Sequence, residues 1–421
     1  MKLCEVATCT GCMACVNICP INAIQTQPDK EGFLRPLIDE NKCMQCGKCR
    51  SVCPQLTVRT RPDDEKKVYA CWQKDRRLRK ASTSGGAFSA LAQWVLLHNG
   101  VIFGAGFDEK LTVVHKKVEN IKDLEQLRGS KYVQSNTLLT FREVKRSLIA
   151  GKAVLYSGTA CQIDGLYAFL GDRYKGQLYT IDLVCHGVPS PKIYRDYLEY
   201  QQNLHGAKVK KIFFRNKEPG WYVFGMKLVF DNNKTYKAST YEDPFIRGFL
   251  RELFLRPSCH QCSYAGIHRV ADITLADFWG YMDTCRADRD NDKGISMVML
   301  NTENGYHIFS QIREMLHIWE RPLEQAVNGN PALKKCFPPS KKREAFWRDY
   351  TTIQFSELIE KYMYPEPRES QYYPNLKERH KQQDMYMLKI LPNRITMKLL
   401  GEKGYQKLKH IMRMGSKNAN N

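Results

Sequence analysis

The sequence contains no apolar run long enough to cross a bilayer. Its best candidate, Ala87–Leu97, is interrupted by Ser89, Gln93 and Trp94 and suits a buried helix. No apolar leader core precedes the first cysteines, since the start reads MKLCEVATC. The expectation is a cytoplasmic chain, at most peripheral at the inner face of the membrane. No G-x-G-x-x-G fingerprint follows a strand pattern, so a nicotinamide site of the Rossmann kind is not indicated. Acidic residues are the scarcer charge: 44 Asp and Glu stand against 65 Lys and Arg, a formal net of +21 over 421 residues. From Asn375 onward, eleven basic residues face three acidic ones, a local net of +8. Such an excess fits an acidic redox partner protein or an anionic membrane surface, and equally a solvated helical tail. The tail carries no recognisable nucleic-acid module, so nucleic acid is not an expected partner.

Cysteine, by contrast, is abundant: there are sixteen. Without an export signal, that number points to a reducing compartment and metal ligation rather than disulfides. Eight of them form two copies of C-x2-C-x2-C-x3-C-P, namely Cys9, Cys12, Cys15 and Cys19 before Pro20, and Cys43, Cys46, Cys49 and Cys53 before Pro54. This is the ligand run of bacterial ferredoxins with two 4Fe-4S clusters, in which the fourth cysteine of each run serves the other cluster. The ligand sets implied are Cys9, Cys12, Cys15 and Cys53 for one cluster, and Cys19, Cys43, Cys46 and Cys49 for the other. Zinc needs four ligands of its own per site and does not explain three plus a shared fourth.

The pattern along the chain divides it into three. Residues 1–57 form an α+β ferredoxin-like cluster module, followed by the polar linker VRTRPDDEKK. Residues 67–340 alternate strand-like and helix-like stretches and predict an α/β core with a mostly parallel sheet. Val101–Phe107, 153–156 and 179–184 read as buried strands, and 137–150 and 190–204 as helices, the second opened by Ser190-Pro191. Segments 208–214 and 221–230 read as an appended hairpin. Residues 341–421 form a basic, helical extension, in which 385–414 has the character of a basic amphipathic helix pair broken at Pro392. That pair could lie on a membrane or pack on protein.

A second group of cysteines lies in the core. Cys161 and Cys185 each follow a predicted strand, and in an open α/β sheet ligands collect at the carboxyl ends of strands. Cys259 and Cys262 have C-x2-C spacing in a loop. Together they offer four thiolates for a third 4Fe-4S cluster. The alternatives are buried structural thiols, or a zinc site of Cys259 and Cys262 with His260, His268 or Cys285. Cys4, Cys71, Cys285 and Cys336 lack partners at useful spacing and read as structural.

Three turns suit a phosphate or flavin diphosphate. They are Ser84, Gly85 and Gly86 before an apolar helix; Gly129, Ser130, Lys131 and Tyr132; and Ser157, Gly158 and Thr159 at a strand end. Plain capping by Ser84 and a surface role for Lys131 are the simpler readings. Asp277, Phe278, Trp279 and Gly280 could shape a pocket or end a packed strand.

The motifs SGGAFSALA, GSKYVQS, GTACQIDGL, LVCHGVPSP and CHQCSYAGIHRVADITLADFWG, in this order over about Val68–Asn301, resemble the beta-subunit family of coenzyme F420 hydrogenases and dehydrogenases, with a ferredoxin module in front. The resemblance implies an FAD-binding domain that passes hydride between a deazaflavin and the flavin. It also implies one 4Fe-4S cluster, carried over onto Cys161, Cys185, Cys259 and Cys262, and it places the flavin near Ser84, Gly85, Gly86 and the turn from Gly129 to Tyr132. It does not fix the hydride carrier. The expected function is an iron–sulfur flavoprotein oxidoreductase that links a hydride-carrying coenzyme or other small molecule, through FAD and three clusters, to a one-electron partner. Hydride transfer itself requires no general acid or base, and the sequence names no catalytic residue. The other reading is a non-catalytic electron-delivery or accessory subunit of another enzyme, for example in polysaccharide biosynthesis, docked through the basic tail.

Overall fold

Each cysteine run closes on a short helix, Ala14–Ile18 or Lys48–Ser51, entered through a left-handed residue, Met13 (φ 63°) or Gly47 (φ 73°). Between them, strands β1 (Ile24–Pro28) and β2 (Leu34–Ile38) form an antiparallel hairpin. Asp29 organises its tip by accepting from the Glu31 and Phe33 amides. The computed structural model describes residues 3–57, 65–171, 174, 176–281 and 292–364. The amphipathic stretch 385–414, the basic extension beyond Asn375 and Cys285 lie outside the described residues.

The remaining strands are β3 (Lys67–Gln73), β4 (Val101–Phe107), β5 (Val113–Val118), β6 (Val154–Thr159), β7 (Leu178–Leu183), β8 (Val209–Asn216), β9 (Gly225–Phe230), β10 (Thr235–Ser239), β11 (Ile273–Asp277), β12 (Ser296–Leu300) and β13 (Leu316–Arg321). Eight of them form one sheet in the order β13-β3-β12-β11-β7-β6-β4-β5. The pairs β4–β6, β6–β7 and β7–β11 are parallel, and the flanking pairs are antiparallel. The sheet is therefore mixed, and the mostly parallel arrangement expected of it holds for its centre. The reason is topological: β4, β6 and β7 are largely buried on both faces and are joined by crossover helices. The outer strands carry more polar positions, as in β5 and β13. The appended hairpin is present and gains a third strand, giving β10-β9-β8.

Helix signals act as their residues dictate. Ser190 Oγ accepts from the Lys192 and Ile193 amides, Pro191 opens the helix Pro191–His205, and Gly206 ends it in a left-handed turn. Alternation along β4 sends Ile102 to one face of the sheet, against Leu91, Val95 and Val298. Phe103 goes to the other face, with Tyr156, Phe141, Ile163 and Leu166. That second core also takes in Cys12, Ala14 and Val52, so the ferredoxin module is built onto it. A third core, beneath the three-stranded sheet, joins Tyr197, Phe214 and Phe245 to Phe346, Leu358 and Ile359. Packing thus continues past the expected boundary at 340, and the compact unit runs to Tyr364. Apolar residues in Arg343–Asp349 and Phe355–Leu358 are the physical cause.

Polar contacts complete the docking of the module. Arg142, in the helix Thr140–Ile149, donates to the carbonyls of Asn17 (2.6 Å) and Cys19 (2.5 Å) and to Asn22 Oδ1 (2.8 Å). Gln134 Oε1 accepts from the Leu34 amide, Ser190 Oγ donates to the Glu31 carbonyl, and Arg343 grips the Glu31 carboxylate with both Nη atoms. Among the described residues, no helix is long and apolar enough to cross a membrane.

Candidate functional site: three thiol groups and a cavity

All fifteen described cysteines are free thiols. The fold brings the first expected set together: Cys12 and Cys15 each lie within electrostatic reach of Cys9 and Cys53. Burial pushes the Cys12 thiol up to about 12 and Cys15 well above the ordinary thiol range. Cys4, which the sequence left without a partner, hydrogen-bonds both Cys9 and Cys53, lowering them and rising itself. The second set, Cys19, Cys43, Cys46 and Cys49, lines a small depression with Ile24 and Ile38. Each set has two buried cysteines, Cys9 and Cys12 in the first and Cys19 and Cys49 in the second; Cys12 packs into the core of Phe103 and Tyr156, whereas Cys19 and Cys49 pack within the module and Cys46 is exposed.

The core cysteines also converge. Thr159 and Gln162 form a capping box that starts the helix Ala160–Leu170 and fixes Cys161 in its first turn. Cys185 follows β7, Cys259 lies in the turn Pro257–Gln261, and Cys262 ends that turn. Cys161, Cys185 and Cys259 are each within electrostatic reach of Cys262. Burial raises all four, Cys161 to about 11 and Cys185 to about 12. Thiols this shielded stay protonated at neutral pH unless a cationic centre takes their charge, which is what a metal cluster does. Among the described residues, no three His, Cys, Asp or Glu side chains surround a single-ion site. His260, offered by the zinc alternative, turns Nδ1 to the Phe337 carbonyl at 3.1 Å and leaves Nε2 buried without a partner. The four converging thiols supply the donor set that a 4Fe-4S cluster requires.

The core set and the first ferredoxin set are neighbours. Gly165 lies one turn beyond Cys161, and a Cβ there would fall 2.8 Å from Cys12 Sγ. Tyr264, donating to Asp164 at 2.8 Å, is within electrostatic reach of both Cys161 and Cys12.

Beside the core thiols lies a cavity of about 440 Å³. Ser84 and Gly86, Gly129 to Tyr132, Ser157 to Thr159, Cys161 and Cys185 all line it. So do Asp277 and Trp279, and Thr10 and Gly11 of the ferredoxin module. Gly85 does not. It packs into the sheet, where a Cβ would stand 2.2 Å from the Cys71 carbonyl oxygen and 2.6 Å from the Ser296 amide. Nor does Ser84 cap the following helix; its Oγ donates to the Ile295 carbonyl at 2.6 Å, and Gly86 (φ 97°) occupies the cap position. The two turns are tied together where the Ser130 amide donates to Thr83 Oγ1.

Several lining groups were not evident in the sequence. His115 bridges Ser135 Oγ (2.7 Å) and the Ser157 carbonyl (3.1 Å), and burial lowers it to about 4, so it is neutral at pH 7. Arg215, from the appended sheet, donates to Asp277 (2.6 Å) and lies over the Phe224 ring at 3.6 Å. Its Nε and Nη2 are buried with no partner. Lys131 donates to the Arg128 carbonyl at 2.8 Å, and burial brings it down to about 7. A wider cleft of about 1220 Å³ shares Thr83, Arg128 to Lys131 and Arg215 with the cavity and adds Lys74, Arg76, Lys122, Lys210 and Lys211. The tight turns, the unpartnered donors and the basic mouth fit an anionic, ring-bearing cofactor.

Residues 151–326 match the family model for the C terminus of the coenzyme F420 hydrogenase/dehydrogenase beta subunit, and residues 8–56 match that of the 4Fe-4S dicluster domain. Among solved structures, the chain is similar to one from the F420-reducing NiFe hydrogenase complex of Methanosarcina barkeri, solved as a xenon derivative. The identity is 19%, covering 68% of this chain and 92% of that one, at a TM-score of 0.44. No curated protein matches the chain.

Proposed function

From a chain that belongs, through residues 151–326, to the coenzyme F420 hydrogenase/dehydrogenase beta-subunit family and carries a 4Fe-4S dicluster domain before it, we propose an iron–sulfur flavoprotein oxidoreductase with three 4Fe-4S clusters. The observation that carries this reading is the cavity in which the candidate flavin turns meet Cys161 and Cys185. Bound FAD would supply the exchange of a hydride for single electrons, and the clusters would carry those electrons one at a time.

The protein's own groups have separate tasks. Gly86, Gly129 and Gly158 let backbone approach the cofactor, while Ser84, Ser130 and Thr159 add hydroxyls near it. Arg128, Lys131 and Arg215 oppose the negative charge of a diphosphate or of an anionic hydride carrier entering by the basic cleft. Neutral His115 fixes the Ser157 carbonyl and the β6 end without adding charge. Cys161, Cys185, Cys259 and Cys262 hold the cluster nearest the cavity. Cys9, Cys12, Cys15 and Cys53 hold the next, and Cys19, Cys43, Cys46 and Cys49 the outermost, near exposed Cys46, where a redox partner protein would dock.

Anaerobic purification with iron and flavin analysis tests the proposal. The expected result is about 12 irons per chain, from three four-iron clusters, together with a flavin released on denaturation. Iron near 8 with no flavin would remove both the third cluster and the flavoenzyme, leaving a role in electron delivery to another enzyme.

A further inference from the structure

Arg256 stands where two of the proposed cluster sites meet. It is 1% exposed. Its backbone belongs to the core site: its amide donates to the Val188 carbonyl and its carbonyl accepts from the Cys259 amide, both at 2.9 Å. Its guanidinium reaches into the ferredoxin module. Nε donates to the Cys9 carbonyl at 2.8 Å, and Nη2 donates to the Leu34 carbonyl at 3.2 Å and lies 3.8 Å from Cys9 Sγ.

This is a poor position for an isolated cation. No described carboxylate forms an ion pair with Arg256, whereas Arg35, the other guanidinium at the Cys9 carbonyl, is paired with Asp29 at 2.8 Å. Arg256 Nη1 is buried with no hydrogen-bond partner. The module leaves room for it: a Cβ at Gly11 (φ +71°) would fall 2.7 Å from Nη1. An unpaired buried charge is strongly disfavoured unless an opposite charge compensates it nearby. The groups placed to do so are Cys9, in contact, and Cys259 and Cys161 at longer range. Asp29 also acts on it from a distance, but its carboxylate is already engaged by Arg35.

We propose that Arg256 is a positioning charge that raises the reduction potential of the cluster held by Cys9, Cys12, Cys15 and Cys53. The inference rests on the reading of these thiols as 4Fe-4S ligands. A cluster bound by four thiolates gains one more negative charge on reduction, so a cation in a shielded site favours the reduced form, most strongly for the cluster it touches. Arg256 touches Cys9 and reaches the core thiols only across a gap, so the effect is unequal.

The test uses the full chain, purified anaerobically, with redox titration of each cluster followed by electron paramagnetic resonance. Arg256→Gln is expected to move one midpoint to more negative potential by more than the other two, and the moved signal should be the one that Cys15→Ser alters. Arg256→Lys, which keeps the charge and loses the fork, is expected to hold that midpoint near the parent's. A fully loaded Arg256→Gln protein with unchanged midpoints overturns the proposal, as does an Arg256→Lys midpoint that moves as far. If Arg256→Gln loses iron, Arg256→Lys decides: iron retained at the parent midpoint upholds the charge, and iron lost from both assigns Arg256 to holding the fold and overturns it. Iron and flavin content of the parent test the underlying reading separately.

Discussion

Replacing Arg142 by Ala should loosen the ferredoxin module without unfolding the core. From the helix Thr140–Ile149, Arg142 reaches the module through its side-chain donors and collects the carbonyls of Asn17 and Cys19 at 2.6 and 2.5 Å. Asn17 lies at the end of the helix Ala14–Ile18, where carbonyls have no partner within the helix and a cation is favoured. Hydrogen bonds to a charged group contribute about 1.5–3 kcal/mol each. The bond to Asn22 is exposed and adds little. Since the side chain is half-buried and water can replace part of what is lost, the two shielded bonds together are worth about 2–4 kcal/mol. That corresponds to about a 30- to 1,000-fold rise in the population of the undocked module, at about 1.4 kcal/mol per tenfold. Hydrogen exchange read by mass spectrometry over residues 9–24, against peptides from β6 and β7, measures that population directly. Exchange unchanged in 9–24, or rising equally in β6 and β7, would refute the argument; Arg142→Lys should fall between parent and Ala.

Gly165→Val forces a side chain into the space where Cys12 Sγ would be 2.8 Å from a Cβ, and overpacking of this kind costs about 1–3 kcal/mol; the thermal midpoint should fall and, if the core thiols hold the cluster proposed for them, its electron exchange with the ferredoxin module should slow in stopped-flow absorbance, and an unchanged midpoint would count against close apposition. Arg215→Met strands the Asp277 carboxylate with Trp221 as its remaining side-chain partner; breaking a buried pair costs about 3–5 kcal/mol, readable as a lower urea midpoint, and a loss under about 1 kcal/mol would contradict the burial argument. Lys131 has a folded-state value lowered from 10.5 to about 7 by burial, so between those limits the unfolded chain binds more protons and stability rises with pH. The stability difference between parent and Lys131→Met should therefore increase from pH 7 towards pH 10, and a flat difference would show the ammonium to be solvated.

The elements with strong local signals were legible. Val101–Phe107 is an apolar run bounded by glycine, and the Ser190-Pro191 pair starts a helix as its chemistry requires. The doubled cysteine spacing marks the 4Fe-4S dicluster domain matched over residues 8–56, because ligand geometry constrains spacing more tightly than packing does. The antiparallel flanks were harder. β12 and β13 pair with β3, whose own partners lie more than two hundred residues away, and nothing local marks such a pairing. Arg215 and His115 carry no local signal for a related reason: each belongs to a strand whose role is set by what the third dimension brings to it. Gly85 is ambiguous because a glycine required by a neighbouring backbone and a glycine required by a phosphate look alike in one dimension.

The grip of Arg343 on Glu31 joins positions 312 apart in sequence. Contacts of that span are slow to form, since the loop must close before any bond compensates for the lost freedom. On a ribosome, the hairpin carrying Glu31 emerges long before its clamp exists. Gln134, Arg142, Ser190 and Arg256 can engage the module earlier, but its docking is completed only once the chain has been made through the helix Arg343–Asp349. The last contact to close over the hairpin is thus also the one that spans the most sequence.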